Sequence, residues 1–140
     1  MILLDTNVLS AVASPKADRR IAEWLDKQPR TSIWTSSITV FELCYGLAIM
    51  PLGKRRTLVA ELMEELLATK IGGRIAVFDE NAARHAGDLM ALRQKAGRPV
   101  EIRDTMIAGI TLATNATLVT RNVSDFSDLK VPVVNPWIAA

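Results

Sequence analysis

The sequence predicts an α/β fold in layers round a mainly parallel sheet, and three observations carry that prediction. Short β-rich runs alternate with longer stretches whose apolar residues recur at helical spacing. No repeat, low-complexity tract or long linker divides the chain. Its 140 residues, 49% of them hydrophobic, suit one domain over residues 1–140 with a real core.

The elements follow in order. The first strand is Ile2–Asp5, where the apolar start of "MILLDTN" runs into a carboxylate. In "RRIAEWLDK", Ile21, Trp24 and Leu25 fall on one helical face. A second strand spans Ser32–Ser36, and the helix "ITVFELCYGLAIM" follows until Pro51 and Gly53 break it. The helix "KRRTLVAELMEELLATK" sets Leu58, Leu62 and Leu66 beside Val59, Met63 and Leu67. That stripe is wider than one packing seam needs, which points to an isologous dimer contact. Gly72–Gly73 turns the chain into a third strand, Arg74–Phe78. The Ala-rich helix "DENAARHAGDLMALRQKAG" is stopped by Gly97 and Pro99. Another helix, "DTMIAGITLATN", begins near Asp104, and strands Thr117–Thr120 and Val131–Val134 close the sequence.

Composition narrows the functional classes. Seventeen Lys and Arg against fifteen Asp and Glu leave a net charge of +2, too little for a general polyanion-binding field. Any polyanion must be gripped locally. The single cysteine, Cys44, excludes an internal disulfide and a thiolate metal cluster; its apolar setting "FELCYGLAI" reads as core. With no secretory leader ahead of Asp5 and no apolar run of membrane-spanning length, a cytoplasmic protein is expected. The lone His85 has no second histidine to form a ligand pair and reads as a structural or surface residue. No phosphate loop of the G-x-x-x-x-G-K type is present, which weighs against nucleoside triphosphate hydrolysis.

Four acids share one topological address. In open parallel sheets, ligands collect at the carboxyl ends of strands, where helix N-termini present free N–H groups. Asp5 ends the first strand, Glu42 follows the second, Asp104 opens a helix, and Asp125 comes soon after "TLVT". Each has a structural alternative. Asp5 and Asp104 fit helix N-caps, Glu42 fits the S/T-x-x-E capping box begun by Thr39, and Asp125 fits a turn. Held together, however, ionised acids repel: at ~5 Å and an effective dielectric of ~20, a pair costs about 3 kcal/mol. A counter-cation resolves the conflict. Oxygen donors suit Mg²⁺ or Mn²⁺, whose chemistry is activation of water against a phosphate.

The motifs "MILLDTNVLS", "SSITVFELCYG", "EIRDTMIAGITLA" and "LVTRNVSDF", in this order over nearly the whole chain and followed by "VVNPW", resemble the PIN-domain ribonucleases, specifically the VapC/FitB-like toxins of bacterial toxin–antitoxin pairs. The resemblance implies a three-layer α/β/α sandwich, Mg²⁺- or Mn²⁺-dependent endonucleolysis of RNA, homodimers, and inhibition by a small cognate antitoxin. It places Asp5, Glu42 and Asp104 as the central acidic triad. Asn7, Thr39 and Thr120 become polar groups that orient the acids or a metal-bound water. The fourth acid departs from the family pattern: Asn122 stands after "VTR", and Asp125 comes three residues later, so either is a candidate fourth ligand.

Basic candidates for holding RNA are Arg98, Arg103 and Arg121, which flank the acidic motifs, with Lys54-Arg55-Arg56, Arg93 and Lys95 beside them. Trp34 and Trp137 are stacking candidates with a core alternative. Two rival functions remain open at this point. "LLDTN" also resembles the nucleophile motif of haloacid-dehalogenase-like phosphatases, although Asn7 stands where their second acid belongs. An acid pocket can also serve binding alone, as in a receiver or adaptor domain.

Overall fold

A computed structural model describes residues 1–138. Its five strands, β1 (Ile2–Leu4), β2 (Ile33–Ser36), β3 (Ile75–Ala76), β4 (Thr117–Val119) and β5 (Val133–Val134), form one parallel sheet in the order β3-β2-β1-β4-β5. All five expected strands are present and each is shorter than expected: β2, β3 and β5 begin later, and β1, β3 and β4 end before Asp5, Phe78 and Thr120. The helices are α1 (Thr6–Val12), α2 (Arg19–Asp26), α3 (Ser37–Ile49), α4 (Lys54–Leu66), α5 (Glu80–Lys95) and α6 (Ile102–Thr114). A π-helical turn, Leu67–Ile71, extends α4 and stops at Gly72, whose φ of 56° is the left-handed conformation that glycine takes without strain.

The period of two along each strand separates two cores. Leu3 and its register partner Leu118 bury on one face with Ile107, Ile110 and Phe126, beneath α5 and α6. Leu4 and its partner Val119 bury on the other with Val8, Leu9, Ile21 and Leu25, beneath α1 and α2. The result is the α/β/α sandwich. In α6, Gly109 lets the helix lie against α5: a Cβ there would stand 2.5 Å from the Ala82 carbonyl oxygen and 2.7 Å from the Ala86 Cβ.

Four details depart from the sequence reading. Helix α1 was not expected; it is only seven residues long, with Val8 and Leu9 as its buried residues. Helix α6 begins two residues before Asp104, capped by Glu101, whose carboxylate accepts from the N–H groups of Arg103 and Asp104. Cys44 is exposed, not core. The reason is that α3 buries only Ile38 and Thr39 near its start and then runs away from the sheet alongside α4, leaving Phe41, Tyr45 and Ile49 at 57%, 53% and 65% exposure. Likewise the α4 stripe buries only Met63, while Leu58 is exposed and Val59, Leu62, Leu66 and Leu67 are half-buried. Among the described residues, no helix is long and apolar enough to cross a membrane.

Candidate active site

From β1 the chain builds outward through β2 to β3, then crosses to the other side of β1 for β4 and β5. The reversal lies between β1 and β4, and a crevice at their carboxyl ends is the ligand position of such a sheet. Asp5 and Thr120, the residues that follow these two strands, meet there. The Asp5 N–H donates to the Val119 carbonyl at 2.9 Å, extending the ladder by one bond. The Asp5 carboxylate, 3% exposed, caps α1: Oδ1 accepts from the Thr6 N–H at 2.8 Å. Its Oδ2 accepts from the Thr120 hydroxyl at 2.7 Å and from Asn7 Nδ2 at 3.3 Å. Asn7 also accepts the Arg121 N–H on Oδ1, and Thr120 Oγ1 accepts the Asn122 N–H. Asn7 is therefore an amide brace between β1 and β4.

Glu42 comes to the same crevice from the second turn of α3. It is no capping residue: Ser36 caps that helix, its hydroxyl accepting from the Thr39 N–H at 3.0 Å. Glu42 Oε1 instead accepts from the Thr6 hydroxyl at 2.8 Å, and Thr6 also contacts the buried Thr39 hydroxyl at 3.1 Å. Asp104 lies in the first turn of α6, half-buried. Asp125 lies in a short 3₁₀ turn, Val123–Phe126, anchored by the fully buried Phe126, whose burial stabilises by about 2 kcal/mol. Asn122, just before that turn, is exposed.

Electrostatics join these acids. The Asp104 carboxyl is pushed up from the ordinary 3.8 to about 6, first by burial and then by the charges of Asp5, Glu101, Asp125 and Glu42. Burial also raises Asp5, against the lowering effect of hydrogen bonds from Thr120, Thr6 and Asn7, while the charge of Asp125 adds to the rise. Asp125 thus acts on both Asp5 and Asp104. Opposite charge enters from Arg103, whose Nε lies 2.9 Å from Glu101 and whose Nη1 lies 3.8 Å from Glu42.

Among the described residues, no three His, Cys, Asp or Glu side chains close round a point as a ready-made metal cage. A Mg²⁺ site does not need one, since that ion keeps several waters and takes one or two carboxylates plus substrate phosphate. The residues fit such an ion: the donors are hard oxygens, and Asp104 is an acid that burial, and then its negative neighbours, leave holding a proton up to about pH 6.

The basic and aromatic candidates divide. Arg121 is exposed, its guanidinium 4.8 Å from the centre of the Trp137 ring, and Trp137 Nε1 donates to Asp18 at 3.0 Å. Arg98 donates to the Ser124 carbonyl and, at 3.1 Å, to the Ser127 hydroxyl. Arg93 is not a surface cation: it is 3% exposed and bonded inside the protein to Asp128. Trp34 and Trp137 are partly buried against the two cores, and His85 is exposed. Reasoning from sequence overlooked Thr6, Glu101 and the role of Arg93. Thr6 adjoins Asp5 and Glu101 stands three residues before Asp104, which were usable signals; Arg93 makes its bonds across 12 to 35 residues and left none.

The PIN domain family model matches residues 2–131. VapC ribonuclease Y4jK of Sinorhizobium fredii is 38% identical over 137 residues, 98% of each chain. Toxin FitB of Neisseria gonorrhoeae is 34% identical, covering 98% of this chain and 99% of its own. Among solved structures, FitAB bound to the IR36 DNA fragment superposes with a TM-score of 0.88 at 33% identity, over 100% of this chain and 98% of that one.

Proposed function

The chain belongs to the PIN-domain family, and on that premise we propose that it is a divalent-metal-dependent endoribonuclease, the toxin of a toxin–antitoxin pair. The observation that carries this reading is the meeting of Asp5, Glu42, Asp104 and Asp125 in one negative field at the reversal point of the sheet. A resident Mg²⁺ or Mn²⁺ would supply an activated water and neutralise phosphate oxygens. Asp5 and Asp104 are its holders, with Glu42 and Asp125 beside them. Thr120 and Asn7 keep Asp5 in one orientation, and Thr6, backed by Thr39, does the same for Glu42. The structure favours Asp125 over Asn122 as the fourth group, because its charge reaches both Asp5 and Asp104. Asn7 braces where a haloacid-dehalogenase-like phosphatase needs a second acid, which supports phosphodiester hydrolysis over that rival.

RNA is held by cations at the rim, the exposed Arg121 and the half-buried Arg103, with Arg98 bonded to the turn that carries Asp125. The protein acts in the cytoplasm, where its substrate is, as one nuclease domain over residues 1–140. Its partners are a small cognate antitoxin and a second copy of itself; the half-covered apolar stripe of α4 supports the latter. The deciding experiment incubates the protein with total RNA, with and without Mn²⁺, and maps new ends. Discrete ends that need Mn²⁺ and vanish in Asp104→Asn are expected. Intact RNA with bound Mn²⁺ would return the acid pocket to a binding role alone.

A further inference from the structure

A buried arginine is an expensive residue in a helix that packs through Ala82, Ala86 and Leu89, and Arg93 is 3% exposed. Its charge needs one partner, and Asp128 provides it in a fork: Nε to Oδ2 at 2.8 Å and Nη2 to Oδ1 at 3.0 Å. Two further bonds are not needed for neutralisation. Nη2 donates to the backbone carbonyl of Asp125 at 2.8 Å, and Nη1 donates to the Thr105 hydroxyl at 3.0 Å. Thr105 is buried and directly follows Asp104 in the first turn of α6. One rigid guanidinium thus joins three segments: α5, the turn of Asp125 and the turn of Asp104. Lysine, with a single flexible ammonium, cannot make this planar set of bonds. From the outer side Arg98 adds a second brace to the same turn through Ser124 and Ser127.

We propose that Arg93 is a positioning residue for the nuclease reaction: its buried fork fixes the turn bearing Asp125 against the helix turn bearing Asp104, and so sets how the two carboxylates face a shared divalent cation. The role rests on the nuclease reading above. It makes Arg93 a part of the site that touches neither cation nor RNA, and it explains why a positive charge is retained inside a helix seam where a methionine would pack.

The test is a double-mutant cycle on the full chain, read by Mn²⁺ titration calorimetry and by the split between kcat and KM on RNA. Arg93→Lys should lower Mn²⁺ affinity and kcat by about 10-fold, the low end for groups that orient a metal ligand, and leave KM unchanged. Asp125→Asn should do the same. The pair combined should lose little more than either alone, because both act through one carboxylate. Should Arg93→Lys fail to fold, Asp128→Asn, which loosens the fork from its more exposed end, takes its place in the cycle. Losses that multiply to about 100-fold, or a folded variant with wild-type Mn²⁺ affinity, overturn the role. If the wild-type protein binds Mn²⁺ and cleaves RNA while the losses multiply, only the role of Arg93 falls. If the wild-type protein binds no Mn²⁺, the nuclease reading falls and the role with it.

Discussion

Asp5 and Asp104 are aspartates of one crevice, yet the two halves of the molecule treat them differently. Asp5 stands on the seam between β1 and β4, where a backbone N–H, a hydroxyl and an amide all donate to its carboxylate. Asp104 stands on the helical side, where burial first and other carboxylates second hold its proton up to about pH 6. The sheet half has satisfied its acid by hydrogen bonding; the helical half leaves its acid uncompensated among like charges. On the proposed nuclease reading, the contrast teaches that a metal site would be built asymmetrically, one acid fixed in advance and the other made to gain most when the ion arrives.

The hardest blow to this picture is removal of either charge. Asp5→Asn and Asp104→Asn should each reduce Mn²⁺-dependent RNA cleavage by more than about 100-fold, since even groups behind a ligand are worth about 10–100-fold. Wild-type cleavage by either variant in a gel assay would break the assignment. Their stabilities should part company. Without metal, Asp104→Asn should melt at the same or a higher temperature, while Asp5→Asn loses acceptors for Thr120 and Asn7 and should cost about 1 kcal/mol.

Next in size is Gly109→Ala, which forces α5 and α6 apart and strikes the helical half alone. A loss of about 1–3 kcal/mol in urea unfolding is expected, the usual range for overpacking. Thr120→Val probes the sheet half instead: it keeps the shape, removes the 2.7 Å bond to Asp5, and should lower cleavage by about 10-fold. Activity unchanged in Thr120→Val would show that Asp5 needs no brace.

The smallest effect is in pH. In the folded, metal-free protein Asp104 titrates near 6, above its ordinary 3.8, so between these values the folded state binds more protons than the unfolded one. Stability contributed by this group is therefore full below about pH 4 and is lost as pH rises through about 6; solvent around a half-exposed carboxyl keeps the change modest. Because cation and proton compete, apparent Mn²⁺ affinity should climb through the same window. Denaturant melts of Asp104→Asn should lack that component of the slope.

The same division governs what was legible in the sequence. The sheet half was: β-rich runs ending on Asp5 and Thr120 announce both strands and their crevice, because period and punctuation are local. The helical half was less so. The stretch "FELCYGLAI", apolar but for Glu42 and Gly46, read as buried, but residues 41, 44, 45 and 49 lie exposed where α3 leaves the sheet, and no local pattern records that departure. The alternative reading of Asp104 as a helix cap falls away, since Glu101 performs that task. Arg93 looked like a surface cation because the partners that bury it, Thr105, Asp125 and Asp128, are remote in sequence.

Strand order carries one more consequence, for the nascent chain. In the sheet β1 lies between β2 and β4, so the hydrogen bond that orients Asp5 comes from Thr120, 115 residues downstream. No local hairpin can stand in for that contact, as parallel neighbours are joined only through long crossovers. Asp104 and Asp125 are likewise synthesised late. A ribosome making this protein therefore carries an unarmed polypeptide for most of translation, and the nuclease centre closes only when the last fifth of the chain has joined the sheet.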